Sequence, residues 1–232
     1  MKSWIEYWDG EKNISDNIWR KGNLLFFKNT LQFLDYKTSD IIMDFGCGKG
    51  FFSELIIDKV KEVHLLETSK NCIEICKDKF NNHKQVHYHN LSPDNYLNFN
   101  FLDKKFNKIF VISVIHYFNS SSEIKILIEQ CKKLAIPNDS QMIIADIPIN
   151  KNIFEDILYT IHGSLLLNTF LDTFGLLIKS FFGNYSKTRM KVKIKTYNLV
   201  DLKFMLDEMK LEYKIIKGIT SIRNRISILI NF

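Results

Sequence analysis

The sequence predicts an α/β protein built on a doubly wound, mostly parallel sheet. Three observations lead there. First, the apolar run Ile41 to Met43 ends in Asp44 and enters glycines at 46, 48 and 50. Phe52, Leu55, Ile56 and Val60 then fall at helical spacing, so the segment reads as strand, glycine turn and helix. Second, another apolar run, 63–66, ends in an acid, Glu67, 21 residues beyond Gly46. Third, runs of strand length at Gln85–His89, Phe106–Ile112 and Met142–Ile147 alternate with helix-length segments, the pattern of βαβ units. At 232 residues the chain is long enough for one such domain with its own core.

Taken in order, residues 1–40 are expected to form a helical, aromatic cover. Trp4 and Trp8 are four apart and share a face. Ser15 and Asp16 are placed to cap a helix in which Ile18, Leu24, Leu25, Phe27, Leu31 and Leu34 are near-helically spaced. Residues 41–148 form the strand-and-helix core, and helix 70–80 follows Thr68 and Ser69. Almost 50 residues then separate the fifth strand from the next helix, Leu199–Met209, which is too long for a plain connection. Residues 149–195 therefore read as an inserted cap. Within it, 164–182 is strongly apolar, with only Asp172 and Lys179 charged, and reads as a lid over a substrate. After it, Lys187, Arg189, Lys191, Lys193 and Lys195 recur at period two, which on a strand puts five cations on one face. Such a face suits either an anionic ligand, with Arg189 the best grip, or a solvated edge. Residues 196–232 supply the last helix and two strand-like runs, Glu212–Lys217 and Arg225–Ile230.

Composition narrows the function classes. The net charge is +6 with a pI near 9.0, but the charges are spread out, so no nucleic-acid partner is expected. The four cysteines, 47, 72, 76 and 131, form no C-x-x-C pair, and a reducing, cytoplasmic setting fits them better than a disulfide framework. Met1 to Gly10 is polar and aromatic, without the apolar core of a secretory leader. No uncharged apolar run reaches 18 residues, so no membrane insertion is expected.

The glycine loop selects among nucleotide-like ligands. A dinucleotide fingerprint, G-x-G-x-x-G, needs a glycine where Phe51 stands, and the phosphate-gripping G-x-x-x-x-G-K-[ST] is absent. What is present, Asp44-Phe45-Gly46-Cys47-Gly48-Lys49-Gly50, resembles motif I of the class I S-adenosylmethionine-dependent methyltransferases. The resemblance continues to about 148. It implies a seven-stranded sheet of order 3-2-1-4-5-7-6, closed by an antiparallel hairpin, with S-adenosylmethionine as cofactor and S-adenosylhomocysteine as product. It assigns Asp44, Gly46, Cys47 and Gly48 to the methionyl half and Glu67 with Thr68 to the ribose. Asn90, where the family usually has Asp, or the Leu91 N–H falls to the adenine, and Ser113 opens a segment running under the sulfonium. A carboxylate such as Glu67 can accept both ribose hydroxyl protons, which supports that role independently. Leu134 to Ser140 resembles the family's L-x-P-G-G turn with Asn-Asp in place of the glycines. Arg20 or Lys21 is a candidate for the cofactor carboxylate.

For catalysis, His116 sits just beyond the fourth strand, as a base, an acceptor-orienting group or merely a packing residue; His162 in the cap is its rival. His83, His87 and His89 are tempting as metal ligands, but no acid or cysteine falls beside them at ligand spacing, and no metal is expected. The resulting expectation is methyl transfer to a small molecule. O-methylation of a polar or anionic metabolite is favoured, such as a surface-glycan (capsule or lipopolysaccharide) precursor or its modifying group. The competing readings are a lipid or quinone acceptor, an oxidoreductase using NAD, a nucleic-acid enzyme and a non-catalytic cofactor-binding module. A nucleic-acid enzyme would carry a signature such as N-P-P-Y where Ser113-Val114-Ile115-His116 stands.

Overall fold

The computed structural model describes Trp4 and residues 16–149, 153–182 and 194–232. Seven strands form one sheet: β1 (Ile41–Phe45), β2 (Glu62–Glu67), β3 (Val86–Asn90), β4 (Lys108–Ile112), β5 (Gln141–Ile147), β6 (Glu212–Lys217) and β7 (Ile226–Asn231). Their order is β3-β2-β1-β4-β5-β7-β6. β1 to β5 pair in parallel, and β7 runs antiparallel to both β5 and β6. The helices are α1 (Asp16–Thr30), α2 (Ser53–Ile56, running into a 3₁₀ turn at Ile57–Lys59), α3 (Lys70–Lys79), α4 (Ser122–Leu134), α5 (Ile153–Leu166), α6 (Phe170–Phe182) and α7 (Leu199–Glu208). The expected fold class and strand order are both present.

The central strands are mostly apolar because helices cover both faces. Side chains alternate between two cores. Met43, Phe45, Leu66, Ile109, Val111 and Ile144 join one. Ile42, Leu65, Val63, Phe110 and Ile143 join the other, together with Phe26 of α1. Helix α4 shows how spacing becomes packing: Ile124, Leu127, Ile128 and Cys131 recur at three and four, and all are fully buried. Burial of a Leu or Ile stabilises by roughly 1.5–3 kcal/mol. The turn after α4 lacks the glycines of the family pattern, yet Asn138 adopts the left-handed conformation, φ 62°, and donates its N–H to the Phe232 carbonyl at 2.7 Å. Asparagine tolerates that region better than other residues carrying a Cβ, so the turn survives the substitution.

Two expectations need adjusting. The helix expected after the glycine loop is one turn of α-helix plus the 3₁₀ turn, with Ile56 and Ile57 buried where the two meet. The apolar stretch is divided between α5 and α6, with Asn168 between them at φ 52°. The run of cations lies outside the described residues except for Lys195, whose N–H donates to the His116 carbonyl at 2.9 Å.

Candidate functional site

The carboxyl ends of β1, β2 and β4 meet where the strand order reverses, the usual ligand position in open α/β sheets. A cavity of about 400 Å³ opens there, and its walls include Asp44, Gly46, Cys47, Gly48, Glu67, Thr68, Leu91 and Ser113. Of the cofactor residues expected from sequence, Asn90 and the carboxylate candidates Arg20 and Lys21 are missing from the lining. Gly46, Gly48 and Gly50 all have positive φ, 70°, 53° and 70°. A Cβ on Gly46 would lie 2.5 Å from Val114 Cγ2, so glycine is required by contact as well as by conformation. A Cβ on Gly48 would meet nothing within 4 Å. The loop thus leaves an open cradle at Gly48, and a ligand can lie against its backbone.

Glu67 holds that loop in shape. Its Oε2 accepts the Gly48 N–H at 2.9 Å. Its Oε1 accepts the Thr68 N–H at 2.8 Å, the Ser69 N–H at 2.9 Å and the Thr68 hydroxyl at 3.1 Å. Oε1 is therefore saturated, and Oε2 is the oxygen with capacity left for a ribose hydroxyl. Ser69 also caps α3, accepting the Cys72 N–H at 3.2 Å. Asp44 is buried at the end of β1 and accepts the Ser53 hydroxyl at 2.7 Å. Burial pushes its carboxyl up to about 7, with the negative Glu67 adding to the effect and the Ser53 bond opposing it. A buried carboxyl poised near neutrality suits a ligand that brings a positive charge. Cys47 and Cys76 both direct Sγ to the Gly48 carbonyl, at 3.6 and 3.3 Å, and Cys47 is held well above the usual thiol range by that neighbour and by burial. Both are apolar filling of the loop rather than nucleophiles.

Other expected residues are placed differently. Asn90 is exposed and donates from Nδ2 to the carbonyls of Glu67 and Thr68 at 3.0 and 3.2 Å, so it braces the end of β2. The Leu91 N–H is spent on the Glu67 carbonyl at 2.8 Å. The acid missed in the sequence is Asp94, which lines the cavity with Pro93 and Tyr96. The signal was present, since Asp94 lies only four residues beyond β3. Arg20 forms a forked pair with Glu54 at 3.0 and 2.8 Å, and Lys21 reaches the Asn168 carbonyl at 3.0 Å; neither lines the cavity. Lys49 does line it, paired with Asp16 at 2.7 Å. Trp4, Trp19 and Asn23, from the N-terminal part of the chain, also line the cavity.

A second cavity, of about 220 Å³, adjoins the first and shares Trp19, Asn23, Ile112, Ser113 and Tyr117 with it. His116, Asp146, Thr173 and Arg225 line it. Asp146, next to last in β5, has φ 67°, and Ser113, directly after β4, has φ 58°. The Ser113 hydroxyl and Arg225 Nη1 both donate to Asp146 Oδ2, at 2.6 and 2.8 Å. Asp146 Oδ1, His116 Nδ1, Thr173 Oγ1 and Arg225 Nε are buried without a hydrogen-bond partner. Such a concentration of unsatisfied polar atoms is costly unless a ligand meets them. Burial, aided by the positive Arg225, holds His116 well below the usual imidazole range, so it is neutral and offers a lone pair to a hydrogen-bond donor. His162 is exposed on α5 and lines neither cavity. Asp146 and Arg225 were not singled out as functional in the sequence, because only the antiparallel return of β7 brings residue 225 against residue 146.

Residues 42–138 match a protein family described as "Methyltransferase domain". The strand order and the Asp44–Gly50 loop accord with that match and have the pattern of class I S-adenosylmethionine-dependent methyltransferases. Solved structures share its fold across nearly the whole chain. One is the N-methyltransferase NodS from Bradyrhizobium japonicum WM9 in complex with S-adenosyl-L-homocysteine: 12% identity, 98% of this chain and 96% of that one, TM-score 0.61. Another is the magnesium protoporphyrin IX methyltransferase ChlM from Synechocystis PCC 6803: 14% identity, 97% and 89%, TM-score 0.59. A third is a SAM-dependent methyltransferase from Aquifex aeolicus: 13% identity, 95% and 98%, TM-score 0.58. At these identities the likeness is one of fold. No curated protein matches the chain in sequence.

Proposed function

We propose that the enzyme methylates a small, polar acceptor held in the second cavity, by direct attack on the cofactor bound in the first. The observation that carries this is the set of unpartnered buried polar atoms, above all His116 Nδ1 and Asp146 Oδ1, in a cavity that joins the cofactor cavity at Ser113 and Tyr117. The cradle at Gly48, the Glu67 carboxylate and buried Asp44 fit S-adenosylmethionine, which supplies a methyl group on a sulfonium. The chain's own contribution is alignment and exclusion of water. The indole rings of Trp4 and Trp19 cover the junction, the Asp146 carboxylate takes the proton of the acceptor and the neutral imidazole accepts a hydrogen bond from it. Two hydrogen-bond acceptors favour a hydroxyl or an amine as nucleophile. The Arg225 Nε donor leaves room for an oxygen-rich or anionic neighbour. O-methylation of a polar or anionic metabolite, such as a surface-glycan precursor or its modifying group, is the finer reading. Purified protein, labelled cofactor and fractionated metabolite pools test it. Label recovered in a small polar product, and lost in both Asp146→Asn and His116→Gln at unchanged cofactor affinity, is the expected result. Full turnover in both variants would remove the second cavity from the reaction.

A lipid-like acceptor is the second reading, and the cap supplies its observation. No helix among the described residues is long and apolar enough to cross a membrane. Yet Leu171, Phe154, Leu158, Leu165 and Phe174 of α5 and α6 are 83%, 80%, 67%, 56% and 54% exposed. The same helices contribute Gly163, Ser164 and Thr173 to the second cavity, which accords with a lid. Co-sedimentation with anionic liposomes at moderate salt would favour the lipid over the lid.

A further inference from the structure

We propose that Glu62, His64 and His87 form a binding site for a divalent transition-metal ion, zinc foremost, that fastens edge strand β3 to β2. Parallel pairing sets His64 beside His87, and Glu62 precedes His64 by two on the same face of β2. The three ligand atoms all lie within 4.8 Å of one another. Glu62 Oε2 is 3.4 Å from His64 Nε2 and 3.7 Å from His87 Nε2. Zinc bonds of about 2.0–2.1 Å in a tetrahedron require ligand atoms about 3.3–3.4 Å apart, so these edges close with a shift of a few tenths of an ångström.

The surroundings suit a metal as well as the spacing does. His64 is buried, and its other nitrogen, Nδ1, lies 3.0 Å from His89 Nε2. With the proton on Nδ1, His64 donates to His89 and turns the bare lone pair of Nε2 toward Glu62, the arrangement by which an outer partner orients a metal-binding imidazole. The His64 ring also stands edge-on to Phe106 at 5.1 Å, which fixes its plane. The His87 side chain is 43% exposed, leaving an entry path and room for water as fourth ligand. Two imidazoles and one carboxylate select zinc-like ions over magnesium or calcium. Lys104 now donates to Glu62 Oε2 at 3.1 Å, but its side chain is 45% exposed and can swing away. Glu62 and Glu67 are the two ends of β2, about 16 Å apart at the rise of a strand, so the ion lies away from the cofactor and its role is structural.

Zinc titration of the metal-free, full-length protein by calorimetry tests this, with the absorption spectrum of added cobalt as a second readout. The expected result is one ion per chain and a melting temperature that rises with free zinc. His87→Ala and Glu62→Gln should each weaken binding about tenfold or more and bleach the cobalt spectrum. His87 is partly exposed, so its variant should fold. Lys104→Met should bind at least as tightly as the wild type, since a competing cation is gone. S-adenosylhomocysteine affinity should be the same in wild type and His87→Ala, which separates this site from the reaction. Zinc uptake by His87→Ala equal to that of the wild type would overturn the proposal, whether both bind through the cysteines or neither binds.

Discussion

Replacing Glu67 by glutamine separates two roles that one carboxylate performs. The amide keeps one oxygen, which can stay with Thr68 and Ser69, and turns its NH2 toward the Gly48 N–H now bonded to Oε2. Two donors then face each other, and an unsatisfied loop N–H costs about 1–3 kcal/mol of stability. For a chain of this size that lowers the melting temperature by roughly 2–4 °C per kcal/mol. The ligand loses something different. Oε1 is saturated, so close to one charge-assisted bond to the ribose is at stake, and its replacement by a neutral bond costs about 1–2 kcal/mol. At 1.36 kcal/mol per decade, the affinity for S-adenosylhomocysteine should fall about 5- to 30-fold. Calorimetric titration and thermal unfolding on the same preparation measure both quantities. A lowered melting temperature with an affinity within about twofold of the wild type would show that Glu67 builds the loop and does not touch the ribose.

Three further outcomes follow from the same geometry. Asp44 carries a native value near 7 against 3.8 when unfolded, so from about pH 4 to 7 the folded state binds a proton that the unfolded chain lacks. Stability of the ligand-free protein should therefore fall as pH rises through that window, and Asp44→Asn should flatten this slope of melting temperature against pH; equal slopes would refute it. Cofactor binding near neutrality should release a proton from Asp44 as positive charge arrives, visible as a dependence of binding heat on buffer ionisation enthalpy. Gly46→Ala and Gly48→Ala both incur the left-handed strain of about 1–2 kcal/mol, but only Gly46→Ala meets Val114, so it should be the less stable in denaturant unfolding.

Much of this was readable in the chain because the reading rests on local spacing. The alternation of apolar runs gave each strand of the sheet to within two residues, and Asp44, Gly46, Gly48 and Glu67 lie at strand ends where short-range pattern is strongest. What escaped depends on distant pairing. Asp146 meets Arg225 only because β7 returns antiparallel beside β5. Glu62 and His64 meet His87 only because β2 and β3 are in a particular register. Inspection of the 83–89 histidines alone found no acid, since the acid stands on the neighbouring strand. Asn90 misled for the opposite reason: its polar side chain is used locally, on the backbone of Glu67 and Thr68, before any ligand arrives.

Ser113 and Asp146 lie at the ends of β4 and β5 in a backbone conformation that side chains with a Cβ adopt at a cost, and they lean on each other through one short hydrogen bond. Strain of this kind is held in place by its surroundings and collects at working sites. Its consequence concerns how the enzyme can change. Glycine at Ser113 would relax that backbone at the loss of one hydrogen bond, whereas glycine at Asp146 would also leave the buried Arg225 guanidinium without its carboxylate, a larger loss than the strain it relieves. The exchange at 113 would strip a hydroxyl from the wall between the two cavities. Variants of this enzyme selected for robustness should thus give up turnover first at residue 113, while Asp146 is held by stability and by the site alike.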